Sequence, residues 1–291
     1  MDLSNQGLLD QEAEAFIQDL GIPPCPAIVT RIMKETRLDE PDFNRVAALI
    51  QTDVSLSAAM LATVNSAFYG LRNKAETVHR ALALLGLQTC SHLVTRLMLR
   101  QAFPVSNHPA MKRFWSSAAR GSLLAGLVAR LTRSVESELA STYALFRDAG
   151  MPLLLAKFPA YASLMTPERM YQGPGLLEAE DACCGMAHNR VGFQLSQKWD
   201  LIGELSLAIY HHHDYATSED KRAGAPALSE RLVAVGLVAD GAAAQLSGTL
   251  NEEWPQSQEF AFGSLSIDES DFDEIVAAAR QLVPAGAHAA A

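Results

Sequence analysis

Residues 208–215 read AIYHHHDY, three consecutive histidines followed at once by Asp214. Imidazole is the commonest metal ligand among side chains and carboxylate its frequent companion, so the segment poses the question of a catalytic metal. Neighbouring residues point in different directions on a helix or a strand, so at most two of His211, His212 and His213 can serve one centre. The rest of any centre has to come from elsewhere in the chain. The four cysteines, Cys25, Cys90, Cys183 and Cys184, lack metal-ligand spacing and form no secreted-type framework. They read as reduced thiols, the adjacent pair Cys183 and Cys184 as small, partly buried residues.

The elements that must position these groups are helical. From Asp42 onward apolar residues recur at helical spacing: Phe43, Val46, Leu49 and Ile50, then Leu56, Met60, Leu61, Val64 and Phe68. Breaks fall at GIPPCPA (21–27), at Pro41 and at YGLRN (69–73), and Gly86 suits a helix C-terminal cap. A helix over SHLVTRLMLRQAF ends before PVSNHPA (104–110), which reads as a linker. Helical patterns resume over 112–132, 137–147, 176–198, 203–213 and 227–245, with a polar surface loop at 215–227. Ser266 followed by Glu269 has the form of a capping box and predicts a last short helix, after which PAGAHAAA looks frayed. Alternating β-branched and aromatic runs are scarce, so the fold class is all-α.

Composition narrows the function classes. The chain has 291 residues, 49% hydrophobic and 19% charged, enough for a sizeable core. A net charge of -10 disfavours general nucleic-acid binding. Apolar stretches such as SLLAGLVARL (122–131) are too short to span a bilayer, so no membrane insertion is expected. The first residues, MDLSNQGLLDQEAEAF, lack the basic and apolar regions of a secretory signal, and a cytoplasmic location is expected.

Two stretches of the first half carry a family resemblance: the lead-in GIPPCPAIVTRIM and the run from ALIQTDVSLS through NSAFYG to ALALLGLQT. They resemble the HDOD family, a bacterial signalling module related to the HD phosphohydrolases. Pro23, Pro24 and Pro26 match the lead-in. Asp53, Asn65, Ser66, Phe68, Tyr69, Gly70, Ala81 and Gly86 match the body, with Val54 where proline is usual. The resemblance continues through FWSSA, FRDAGMPLL, LLEAEDACCGMAHNRVGFQLSQKWDL and AIYHHHDY, covering roughly residues 20–240. It implies an N-terminal helical bundle (20–104) packed on an HD-like helical bundle (109–245), with a lead at 1–19 and a C-terminal segment at 246–291.

HD phosphohydrolases hold divalent metal with a first His, a His-Asp doublet and a distant Asp, ligands that let bound cations activate water. The resemblance puts Ser117 at the first His position, Arg147 and Asp148 at the doublet, and Asp240 at the distant Asp. Both histidines are replaced and both aspartates stay. Arg147 brings a permanent positive charge to the place of a cation, where it would repel metal and could pair with Asp148 and Asp240. The HD site is therefore read as degenerate, with no catalytic residue and no cofactor expected.

His188, His212 and His213 match positions where relatives carry histidine. With two ligands missing, the preferred reading is hydrogen-bonded histidines beside a pocket. The alternative is a residual metal or ligand site built from Asp148, His188, His212, His213 and Asp240, that is, a metal-dependent phosphohydrolase with an altered ligand set and a divalent cation. Asn65 is expected to lock a helix end, and Phe68 and Tyr69, Trp115 and Trp199 to serve packing. The resemblance implies a non-catalytic signal-transduction module with a signalling protein partner and room for a nucleotide ligand.

Overall fold

The structure, a computed structural model, describes residues 19–103, 108–166, 173–215 and 227–282. The 104–107 part of the expected linker, most of the 215–227 loop, residues 1–18 of the lead and the terminal tail lie outside them. All regular elements among the described residues are helical. In chain order they are α1 (Ala27–Thr36), α2 (Phe43–Gln51), α3 (Val54–Val64), α4 (Val78–Leu85), α5 (Leu87–Ala102), α6 (Pro109–Thr132), α7 (Ser137–Phe146) and α8 (Gly150–Lys157). After a 3₁₀ turn at Pro159–Ser163 come α9 (Pro174–Cys184), α10 (His188–Lys198), α11 (Gly203–His211), α12 (Ala227–Ser247), α13 (Trp254–Leu265) and α14 (Glu269–Leu282). No single helix among the described residues is long and apolar enough to cross a membrane.

Short polar side chains start several helices by accepting orphan backbone N–H groups. Asp42 accepts from the Asn44 N–H at 2.8 Å, Asp53 from Leu56 at 2.9 Å and Thr77 from Arg80 at 3.1 Å. Asp53 also explains how Val54 is tolerated where proline is usual: it occupies the first helical position, exposed, needing only compatible backbone angles. Asn65, at the C-terminal end of α3, exchanges two hydrogen bonds with the backbone of Ala75, at 2.9 and 2.7 Å. The NSAFYG turn is thereby tied to the strand of chain leading into α4. Gly86, at φ 84°, ends α4 and begins α5.

Two apolar cores form. One gathers Val29, Ile32, Val46, Ile50, Leu56, Met60, Val64, Leu82 and Leu93 from α1–α5. The larger one holds α6–α14, and Leu20, Ile22, Leu99 and Phe103 belong to it, so the start and the end of the first bundle pack into the second core. Polar ties reinforce the junction. The Trp199 indole N–H donates to Pro23 O at 3.2 Å, Lys198 Nζ to Ile22 O at 2.7 Å, and the Tyr69 hydroxyl to Glu138 at 2.9 Å. Arg96 on α5 pairs with Glu138 on α7 at 2.9 Å.

Several local expectations are corrected. The 176–198 pattern is two helices, because Gly185 takes φ 79° and closes α9 before α10 starts at His188. Helix α11 stops at His211 rather than at 213, so His212 and His213 lie in a turn. Cys184 is buried but Cys183 is exposed. Of the 246–291 segment, the described residues to 282 hold α13 as well as the expected last helix, and both pack on α12 through Ala261, Leu265, Phe272, Ile275 and Val276. The capping box before the last of them is Asp268 with Asp271, each side chain accepting the other's N–H at 3.0 Å. Ser266 instead closes α13 in a left-handed conformation.

Candidate ligand and metal site

Helix ends converge on one buried cluster. Arg147 and Asp148 follow the last turn of α7, a helix buried from Glu138 to Phe146. His188 opens α10, His212 and His213 follow α11, and Asp240 projects from α12. Gly150 lets α8 abut this point, since a side chain there would meet the His188 carbonyl at 2.1 Å.

The Arg147 guanidinium bridges two carboxylates, Nε donating to Asp148 at 3.1 Å and Nη2 to Asp240 at 2.5 Å. Burial opposes ionisation of Asp148. Arg147 and the hydrogen bond from the protonated His188 ring outweigh it and hold the carboxyl well below the usual range. Asp240 goes the other way, pushed up to about 6 by burial, because Arg147 is its one hydrogen-bond donor among the described residues while Asp148 and Glu253 add negative charge nearby. The opposite directions of two carboxylates on one guanidinium thus follow from the extra imidazolium donor, His188, that Asp148 alone has. Ser117, half-buried on α6, takes no part in the hydrogen bonds or ion pairs of the cluster.

The three buried histidines present ring nitrogens within 4.8 Å of one another. His211 is outside the cluster, its ring paired with Asp214 at 2.7 Å. Each inner ring has an acceptor at Nδ1: Glu180 for His188 at 2.6 Å, Ile209 O for His212 at 2.7 Å, and Glu253 for His213 at 2.7 Å. With Nδ1 donating outward, the Nε2 atoms face inward. His188 Nε2 lies 3.1 Å from His212 Nε2, and Asp148 Oδ1 lies 3.4 and 3.3 Å from them. His213 Nε2 is buried with no hydrogen-bond partner.

Charge within the cluster is unevenly shared. Burial disfavours the imidazolium at all three rings, but Glu180 and Asp148 reverse this at His188 and raise it to about 10. His212 falls to about 4 through burial and the neighbouring His213, and His213 to about 3 through burial and the positive charge of His188. One ring thus carries the proton and two offer lone pairs.

Whether a cation fits can be tested on these atoms. Arg147 already satisfies Asp148 and Asp240, so a cation between those two carboxylates would meet a fixed positive charge. The adjacent position is different. Once an ion displaces the His188 proton, three imidazole nitrogens form a donor set suited to a borderline divalent ion, Asp148 Oδ1 lies 3.4 and 3.3 Å from two of them, each ring is oriented by a second partner, and His213 Nε2 lacks any other bond. These residues fit one cation, not two.

Glu180 and Glu253 were not singled out from the sequence. Glu180 is fully buried, accepts the backbone N–H of His188 at 2.9 Å as well as its ring, and takes the Tyr161 hydroxyl. A signal existed for it: Leu176, Glu180 and Cys184 recur every four residues and form the buried stripe of α9. For Glu253 no local pattern exists, since its partner His213 lies across a tertiary contact.

The HDOD domain family profile matches residues 22–215, and the chain belongs to that family. Its fold is shared with a candidate phosphohydrolase of Shewanella amazonensis SB2B, 20% identical, with 92% of this chain and 98% of the other covered and a TM-score of 0.69. An HDOD domain protein of unknown function from Geobacter sulfurreducens is also 20% identical, covering 98% and 100%, at a TM-score of 0.64. An uncharacterized protein of Treponema pallidum (strain Nichols) is 22% identical over 195 residues, which are 66% of this chain and only 38% of that relative's length.

Proposed function

We propose that this chain is a non-catalytic regulatory module of the HDOD type, acting through a signalling protein partner, whose histidine pocket takes at most one divalent cation. The observation that carries the reading is the Arg147 guanidinium bonded to both Asp148 and Asp240. HD chemistry uses that region for a cation that helps activate water, and a guanidinium neither gives up its proton nor binds water as an acid. His188, His212, His213 and Asp148 would hold the single cation and Asp240 would stay with Arg147. A cation held there would supply Lewis acidity toward an oxygen ligand.

A second reading, a one-metal phosphohydrolase with an altered ligand set, is favoured by the inward-facing Nε2 atoms and the unpaired His213 Nε2. The two part on turnover. Purified protein, stripped with chelator and reloaded with Mn²⁺, Ni²⁺ or Co²⁺, is expected to leave bis(p-nitrophenyl) phosphate and cyclic dinucleotides intact above background. Turnover that disappears in Asp148→Ala overturns the non-catalytic reading and establishes the second.

A further inference from the structure

Asp240 and Glu253, two of the charged groups at the site, both lie beyond residue 215, where the family match ends. Asp240 sits on α12 of the bundle itself. Glu253 arrives with the α13–α14 hairpin, and its carboxylate is buried where an apolar residue would dock more cheaply. We infer that Glu253 is a positioning residue of the histidine pocket: it holds His213 as the Nδ1–H tautomer and aims the free Nε2 at a bound divalent cation. The inference rests on the reading that the pocket takes such a cation.

The geometry around Glu253 is built to hold it still. The Asn251 side chain accepts from the N–H groups of Glu253 and Trp254, both at 3.0 Å, and Ser257 Oγ donates to Glu253 O at 3.0 Å. Helix α13 itself is pinned through Trp254. The indole lies against Gly241, where an added methyl carbon would come within 2.6 Å of it, and stacks on Phe272 of α14 with ring centroids 4.9 Å apart. Gly241 adjoins Asp240, so the hairpin docks right beside the site. From there Glu253 Oε1 reaches His213 Nδ1 at 2.7 Å.

The arrangement repeats what Glu180 does for His188 from the other side of the pocket. A neutral imidazole has one donor and one acceptor nitrogen, so a carboxylate at Nδ1 leaves the lone pair at Nε2. Without Glu253 nothing described would prevent the proton from moving to Nε2, which would remove the ligand atom. Outer carboxylates on metal-bound histidines typically change metal affinity 10–100-fold.

The test uses the full chain and Co²⁺ as probe. Glu253→Ala is expected to bind Co²⁺ about 10–100-fold more weakly than wild type, by calorimetry, and to change the visible spectrum of bound Co²⁺. Glu253→Gln, which keeps an oxygen acceptor, is expected to fall between them. In cation-free protein, nitrogen-15 spectra of the imidazoles, with His213 assigned by its loss in His213→Gln, should show Nδ1–H in wild type and a tautomer mixture in Glu253→Ala. An unchanged Co²⁺ affinity and spectrum with an unchanged tautomer overturns the inference. If wild type takes up no Co²⁺, the cation reading fails and the aiming of Nε2 at a cation falls with it; a tautomer lost in Glu253→Ala then separates that failure from a failure of Glu253 to hold the ring. If Glu253→Ala does not fold, Glu253→Gln carries the same test, and wild-type affinity and spectrum in it overturn the inference.

Discussion

Replacing Arg147 by alanine leaves Asp148 and Asp240 facing each other with no cation between them. At an effective dielectric near 20, a unit charge pair about 3 Å apart attracts by about 5 kcal/mol, and Arg147 makes two such contacts. Desolvation of three largely buried groups, with side chains 13–19% exposed, offsets much of that attraction. Removing the arginine returns only its own share of the desolvation and leaves two buried carboxylates uncompensated, so the expected net cost is about 3–5 kcal/mol. Asp240 sits at about 6 even with Arg147 present and rises further without it. A carboxyl that is easier to protonate folded than unfolded contributes stability that falls as pH rises through its folded pKa. The variant should therefore lose more at pH 8 than at pH 5. Urea unfolding followed by tryptophan fluorescence at both pH values measures this. Added Mn²⁺ or Ni²⁺ should partly rescue Arg147→Ala, by about 2.7 kcal/mol at a hundredfold excess over Kd. In Ser117→His with Arg147→His, calorimetry should find one more equivalent of cation than in wild type. A variant as stable as wild type at both pH values, or equal cation uptake by wild type and the double variant, refutes the claim that the guanidinium stands in for a cation.

Asn65→Ala removes both bonds to Ala75 and should cost about 1–3 kcal/mol, and Phe68→Ala, opening a cavity under Arg130, about 3–4 kcal/mol; wild-type melting of both would make NSAFYG a partner surface instead. His92, lowered to about 4 by burial and by Arg96, is neutral when folded but takes up a proton near 6.5 when unfolded. Its stability contribution is complete above 6.5 and lost as pH falls toward 4, at most about 3 kcal/mol before solvent screening. His92→Gln should flatten the wild-type stability profile in that window, and an unflattened profile shows that His92 is not the group responsible.

Much of this molecule follows from local pattern. The helical period of Val46, Leu49, Ile50, Leu56 and Met60 reports one buried face per helix, and the caps at Asp42, Asp53 and Gly86 are short-range hydrogen-bond and backbone-angle effects. The replacement of histidine by Arg147 is likewise visible in the residue types, because a guanidinium keeps its charge in any fold. Other features arise only when helices pack. The family resemblance grouped His188, His212 and His213 as one candidate site, but local pattern does not say why these rings share a pocket while His211 faces away; that depends on α11 ending at His211 and on α10 starting against α8. Glu180 and Glu253 became site residues because their helices dock beside the rings they hold. Periodicity records which side of a helix is buried, since burial is averaged over many neighbours. It does not record which polar atom meets which across the core, because that pairing is decided by helix end points and crossing positions set by the packing of the whole chain.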